Sequence, residues 1–290
     1  MNINAQVQKN KRKHMNPFLF LMILAYSVSF IFAKESKAEL AVLLFMTLIL
    51  VFVMGVIKKD KEPGNLSMNN STELKVFLGY FVLYMIWSLF NIFYGLVQSD
   101  FINVFLLFII PYIITKFFGH NFISSGLDFK EFVVNFPKTL LLCVIISAFL
   151  IPVVFIKYLE QKSINFLTGG LSFIFVFVLV FIFNAIPEEF FFRGILQSRL
   201  ERIIKSPVTT VLLSSVIFAL YHVPYRLLLW TSPTFHNMPA TIFSVICQQF
   251  LLGAFFGMWW LKTRNIFSTA FIHSFYNAFF LLEVIKFGTN

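Results

Sequence analysis

The sequence predicts an all-α fold, a polytopic transmembrane bundle of about eight or nine helices, and three observations lead there. Hydrophobic residues make up 59% of the 290 and charged residues 12%, where an ordinary soluble domain carries about 25% charged. Phenylalanine alone fills 42 positions. The apolar residues are also collected into runs that approach the ~20 residues a bilayer-crossing helix needs. A soluble enzyme, a disordered chain, a coiled coil and a disulfide scaffold are excluded on the same grounds.

The runs follow one another with little between them. They are Pro17–Ala33, Leu40–Ile57, Val76–Gly95, Phe101–Phe118, Thr139–Ile156, Leu171 to about Ile204, Pro207–Pro224, Ala240–Leu261 and Ile266–Ile285. The first follows a basic stretch and resembles a signal peptide; with so many runs behind it, an uncleaved first helix is the better reading. The polar segment Lys58–Lys75, with Pro63 and Gly64, reads as a loop, and Gly119–Phe136 as a second loop with a short interfacial helix. Ser88 and Asn91 in the third run are expected to hydrogen-bond between helices. Cys143 and Cys247 lie inside apolar runs and read as packing residues.

With the N-terminus in the cytoplasm and one crossing per run, the basic residues fall inside except Lys34, Lys37, Lys157, Lys162, Arg226 and Lys286. That bias follows the positive-inside rule. The formal charge of +10 is therefore a topology signal, and the expected partner is the lipid bilayer, with no nucleic acid. No repeat or long linker divides the chain. It reads as one continuous membrane domain, residues 1–170 supplying N-terminal helices and residues 171–285 a core that carries the polar motifs.

Ionisable side chains within spans are costly and mark function by default. The second half holds Glu188, Glu189 and Arg193 in NAIPEEFFFRGIL, His222 in FALYHVP, and His273 and Asn277 in AFIHSFYNAFF. Glu189 and Arg193, Phe218 and His222, and His273 and Asn277 are each four residues apart, so each pair shares a helix face. If Leu171 to Ile204 is one helix that turns at Lys205–Ser206 and returns from Pro207, Glu188 and His222 lie at one level, roughly 22–24 Å from the turn. Arg199, Arg202 and Lys205 are then expected to project into the cytosol. A carboxylate beside an imidazole can activate water, and a second histidine with an asparagine can stabilise an oxyanion. Together these groups suit acyl-bond hydrolysis, with water as the nucleophile because no GxSxG is present.

The strings EEFFFR, FALYH and HSFYN match EExxxR, FxxxH and HxxxN in order and spacing, as do Gly253 and Gly257 in the run before the last. In these the chain resembles the CAAX prenyl endopeptidase type II family, also known as the Abi or CPBP intramembrane proteases. The resemblance spans about Leu171–Ile285. It implies a glutamate-dependent intramembrane endopeptidase without a cofactor. Glu188 would be the base, assisted by His222; His273 and Asn277 would form the oxyanion hole, with Glu189, Arg193 and Phe218 supporting. The implied substrate is a membrane-associated peptide or protein, lipidated in the CaaX case, or a pheromone or bacteriocin peptide in bacteria. The Phe, Ile, Asn and Lys richness favours a multi-pass protein of a bacterial plasma membrane. Other chemistries stay open: a metal held by Glu188, His222 and His273, a proton relay, and a non-enzymatic scaffold or immunity factor.

Overall fold

The computed structural model describes residues 70–94, 100–161, 166–229 and 236–281. The runs Pro17–Ala33 and Leu40–Ile57 lie outside the described residues. Among the described residues every regular element is helical, with no strand. Four stretches are long and apolar enough to cross a membrane: Ser71–Phe93, Ile123–Ala148, Leu171–Ile204 and Pro207–Leu228. A shorter apolar helix covers Phe101–Phe117. The chain is thus an integral membrane protein.

Compactness divides it into two units, Lys59–Ile203 with Trp259–Asn290, and Met1–Lys58 with Ile204–Met258. In the larger unit, helix α1 (Asn70–Phe93) begins within the stretch read from sequence as a loop. Its buried positions are Glu73, Phe77, Phe81, Tyr84, Ser88 and Asn91. Their spacing follows a 3.6-residue period, so one stripe faces inward. The outward face carries Val82, Leu83, Ile86 and Phe90. Polar groups inside and apolar groups outside suit a helix bathed in lipid. Asn91 does not bridge helices as expected, because its amide donates to the Trp87 carbonyl of its own helix at 2.8 Å. The interhelical links come from Tyr80, whose hydroxyl donates to the Leu106 carbonyl at 2.6 Å, and from Tyr84, bonded to Asn103.

Helix α2 (Asp100–Val104) runs through a π-helical turn into α3 (Ile110–Phe117). A short 3₁₀ turn at Ile123–Ser125 leads to α4 (Phe129–Gln161). This helix starts at Phe129, well before Thr139, because the Asp128 carboxylate accepts the Glu131 amide at 3.1 Å and caps a first turn too polar to register as a span. Phe132 and Phe136 then pack against Phe271 from the last helix, α11 (Ile266–Leu281).

The longest element is continuous, as expected, from Phe166 to Ile204. It comprises α5 (Phe166–Val180), a π turn at Phe181–Ala185, α6 (Ile186–Glu189), a π stretch at Phe190–Gln197, and α7 (Ser198–Ile204). The first π turn has a local cause. Pro187 lacks an amide hydrogen and crowds the preceding carbonyls, and the Ile186 amide just before it reaches back five residues to the Phe181 carbonyl. All eight residues of Phe190–Gln197 are buried. The three phenylalanines anchor this segment in different directions. Phe190 meets Phe108 at 4.9 Å between ring centroids, Phe191 stacks on Phe81 at 5.9 Å, and Phe192 meets Phe81 edge-on. In lipid such contacts act by close packing, because leaving lipid for a protein interior gains no hydrophobic transfer energy.

The chain leaves this helix at Lys205, whose φ is 55°. Ser206 caps α8 (Pro207–Leu228) by accepting the Thr209 amide. The helix break expected at Lys205–Ser206 is present. In the smaller unit α8 packs with α9 (Met238–Ser244) and the π stretch Val245–Phe250, which continues into α10 (Leu251–Thr263). A Cβ at Gly253 would lie 3.2 Å from the Ser215 Cα and 3.1 Å from the Phe218 ring, so a glycine here permits the close approach to α8.

Candidate active site

The larger unit holds Glu188, Glu189, Arg193, His273 and Asn277. Glu188 and Glu189 are consecutive, so their side chains leave the helix about 100° apart. Each carboxylate is held by a residue four positions away, in opposite directions. The Asn184 amide donates to Glu188 Oε1 at 2.9 Å. Arg193 donates to Glu189 Oε1 at 3.1 Å, which is the ion pair that the sequence spacing predicts.

His273, on α11, meets both carboxylates. Its Nδ1 lies 2.8 Å from Glu189 Oε1 and its Nε2 lies 4.0 Å from Glu188 Oε2. Because Glu189 Oε1 also accepts from Arg193, that oxygen is an acceptor and the imidazole proton is on Nδ1. Neighbouring rings fix the height of His273. Phe271, two residues earlier, packs edge-on against Phe177 of α5 and Phe136 of α4, with centroids 5.0 and 5.5 Å apart. At the helix start Asn265 accepts the Ser268 amide and donates to the Asp128 carbonyl at 2.6 Å. The Ile266 amide donates to the Gly126 carbonyl. Asn277 is half-buried, one turn beyond His273.

Four acidic side chains are buried among the described residues: Glu73, Glu188, Glu189 and Glu201. Glu189 bonds Arg193, Glu201 bonds Arg264 in a two-pronged pair, and Glu73 accepts from Arg199 at 3.1 Å. Glu188 differs from the other three. Its oxygens meet an amide and, at 4.0 Å, an imidazole. Isolated carboxylates in an apolar interior are expensive, and three of these four are compensated by an arginine.

Phe218 and His222 belong to α8, in the smaller unit. The Phe218 ring is buried and lies edge-on to the His222 ring at 4.8 Å. His222 Nδ1 donates to the Phe218 carbonyl at 2.9 Å, which leaves the lone pair of the neutral ring on Nε2. Among the described residues, no group of three His, Cys, Asp or Glu side chains is arranged to hold a metal ion.

Several polar contacts go beyond the sequence reading. Asn184 was not singled out, although its spacing to Glu188 is the same four residues that linked the other pairs. Arg199 does not project into the cytosol. It is buried, with Nε on Glu73 and Nη1 donating to the Gly194 carbonyl at 2.8 Å. His120 is buried and donates from Nε2 to Glu73 at 3.1 Å. Lys205 is exposed, as expected.

A helical membrane protein with two buried glutamates, one held by an arginine and a histidine and the other facing that histidine, has the groups of a hydrolytic site. Residues 170–279 match the family model described as Rce1-like, type II CAAX prenyl endopeptidase. That segment contains all three motifs, so the family resemblance drawn from them holds for this part of the chain. No curated protein and no solved structure gives a significant match.

Proposed function

We propose that this protein is an intramembrane endopeptidase of the CAAX type that hydrolyses a peptide bond in a membrane-associated peptide or protein. The observation that carries the reading is Glu188, a buried carboxylate without a guanidinium bonded to it among the described residues, whose Oε2 faces His273 Nε2 across 4.0 Å. A separation of that size exceeds a direct hydrogen bond and suits one water bonded to both groups.

In this scheme Glu188 takes a proton from water as the oxygen attacks the scissile carbonyl carbon, with His222 as a second acceptor through Nε2. The carbonyl oxygen becomes an oxyanion, stabilised by donors from His273 and Asn277. Since Nδ1 of His273 already donates to Glu189, donation from Nε2 requires a proton on both ring nitrogens. Collapse of the intermediate breaks the C–N bond, and the proton held by Glu188 passes to the departing amine. Glu189 and Arg193 orient and charge-balance His273 and do not touch the substrate. The protein acts in the bacterial plasma membrane, with its N-terminus in the cytoplasm.

The test compares cells carrying wild type and Glu188→Gln at matched membrane levels, with membrane and secreted peptides read by mass spectrometry. Products found with wild type alone, and lost by at least about 100-fold in the variant, support the proposal, and their ends give the cleavage rule. Identical peptide sets with the cellular phenotype intact would replace it with a scaffold or immunity role. Identical sets with the phenotype lost would point to a proton relay.

A further inference from the structure

We infer that Asn184 is a positioning residue for the reaction, holding Glu188 Oε1 so that Oε2 is the oxygen presented to water. The inference rests on the proposed role of Glu188, and it concerns a residue outside all three motifs.

Asparagines elsewhere in these helices show the alternative. In α1 the Asn91 amide bonds the Trp87 carbonyl, and in α4 the Asn135 amide bonds the Glu131 carbonyl as well as its carboxylate, each four residues back along its own helix. This local bond is the ordinary way for a short polar side chain to be satisfied within a helix. Asn184 instead reaches forward and donates to the Glu188 side chain at 2.9 Å. It lies in the π turn Phe181–Ala185, three residues before Pro187. There the ladder has already shifted to five-residue bonds, and π turns recur at functional sites in helices.

The bond gives the two oxygens of Glu188 different work. Oε1 accepts from a neutral amide, which orients the carboxylate and leaves its charge in place. Oε2 faces His273 Nε2 at 4.0 Å. An arginine at position 184 would have neutralised the base, as Arg193 does for Glu189. An apolar residue would have left the carboxylate able to rotate about its terminal torsion, which is broad and nearly two-fold. An amide donor orients the group and avoids both outcomes.

The experiment uses the full chain in native membranes. Asn184→Leu keeps the side-chain size and removes the donor. Asn184→His restores a ring nitrogen donor close to the position of the amide nitrogen. The first readout needs no substrate: labelling of Glu188 by dicyclohexylcarbodiimide, followed by peptide mass spectrometry. Labelling of Glu188 is expected to be at least about threefold faster in Asn184→Leu, because a hydrogen bond to a carboxylate is a strong one, and close to wild type in Asn184→His. Equal labelling in all three proteins overturns the inference. The second readout is cleavage of a farnesylated CaaX peptide bearing a fluorophore and quencher. In Asn184→Leu, kcat is expected to fall about 10- to 100-fold with KM within about twofold, and Asn184→His is expected to recover most of it. Loss through KM, or an Asn184→His protein no better than Asn184→Leu, would show a merely structural role and overturn the inference. Cleavage unaffected by Glu188→Gln would refute the proposed function instead, and the labelling result would still decide whether Asn184 holds Glu188.

Discussion

The Glu73 cluster offers a quantitative test of how the long helix is held in place. Glu73 on α1 is fully buried and accepts from Arg199 Nε at 3.1 Å and from His120 Nε2 at 3.1 and 3.2 Å. Arg199 is buried as well, and its Nη1 ties the same cluster to the Gly194 carbonyl. Removing one partner of a buried ion pair costs about 3–5 kcal/mol, because the other charge is left uncompensated. Arg199→Met removes the guanidinium bonded to Glu73, and Glu73→Leu removes the carboxylate bonded to Arg199, whose Nη1 keeps the Gly194 carbonyl. Each single substitution should therefore destabilise by about 3–5 kcal/mol. The double variant leaves no stranded charge and loses chiefly the bonds to His120 and to the Gly194 carbonyl. It should cost only about 2–3 kcal/mol, at about 1 kcal/mol for each lost hydrogen bond. The sum of the singles then exceeds the double by at least about 3 kcal/mol, a coupling characteristic of direct partners. Cys143 is a free thiol, buried at 1% exposure. In a Cys247→Ser background, its reaction with a thiol-reactive fluorophore during denaturation in detergent reports unfolding. Additive singles, or an Arg199→Met cost below about 1 kcal/mol, would refute the claim that this pair anchors α1 to the long helix.

Two further predictions concern the same end of the larger unit. Burial, and then the Arg199 charge, hold the His120 pKa below its usual 6.5, with the Glu73 hydrogen bond opposing and Arg202 adding to the effect. The unfolded chain therefore binds the proton more readily than the folded one. The stabilisation is complete above about pH 6.5 and is lost as pH falls below it. His120→Gln, which keeps a donor toward Glu73, should flatten stability between pH 7.5 and 5.0 on the Cys143 assay; a slope as steep as wild type would contradict the assignment. The second substitution is Gly126→Ala. Gly126 has φ 88° and its carbonyl accepts the Ile266 amide. An added Cβ would overlap the buried Trp260 ring, so the variant should lose about 2–4 kcal/mol from overpacking and an unfavourable φ. A wild-type midpoint would show that the 3₁₀ loop yields more easily than the contact implies.

Residues whose partners lie one helical turn away were the legible ones. The Glu189–Arg193 pair and the helix break at Lys205–Ser206 follow from spacing and from the single polar break between two apolar runs. The reach of that rule is also its boundary. Glu73 and Arg199 are separated by 126 positions, and nothing in a linear pattern says that α1 packs against the helix carrying Arg199. Helix starts were missed for a related reason. At Asn70 and Phe129 the first turns are polar, so a hydropathy criterion for spans passes over them, although Glu73 and Asp128 are the acidic residues that favour a helix N-terminus. The π turns had no signal beyond Pro187. Asn184 shares the four-residue spacing to Glu188, but between phenylalanine and alanine it forms no polar cluster that would mark it.

The distribution of arginine sharpens the distinction between the two adjacent glutamates. A membrane interior tolerates a buried carboxylate when it is compensated. Among the described residues Arg193, Arg199 and Arg264 each bond a different buried glutamate. An EE pair serving only to pin a helix would be expected to share such compensation. Instead Arg193 bonds Glu189, which also takes the firm 2.8 Å bond to His273, while Glu188 receives a neutral donor and the looser contact. A guanidinium bonded to a carboxylate occupies its oxygen and balances its charge. A neutral amide orients one oxygen and leaves the carboxylate's charge in place. The same two letters, side by side in the sequence, thus occupy unlike electrostatic settings, and the proposed general-base role of Glu188 rests on that difference.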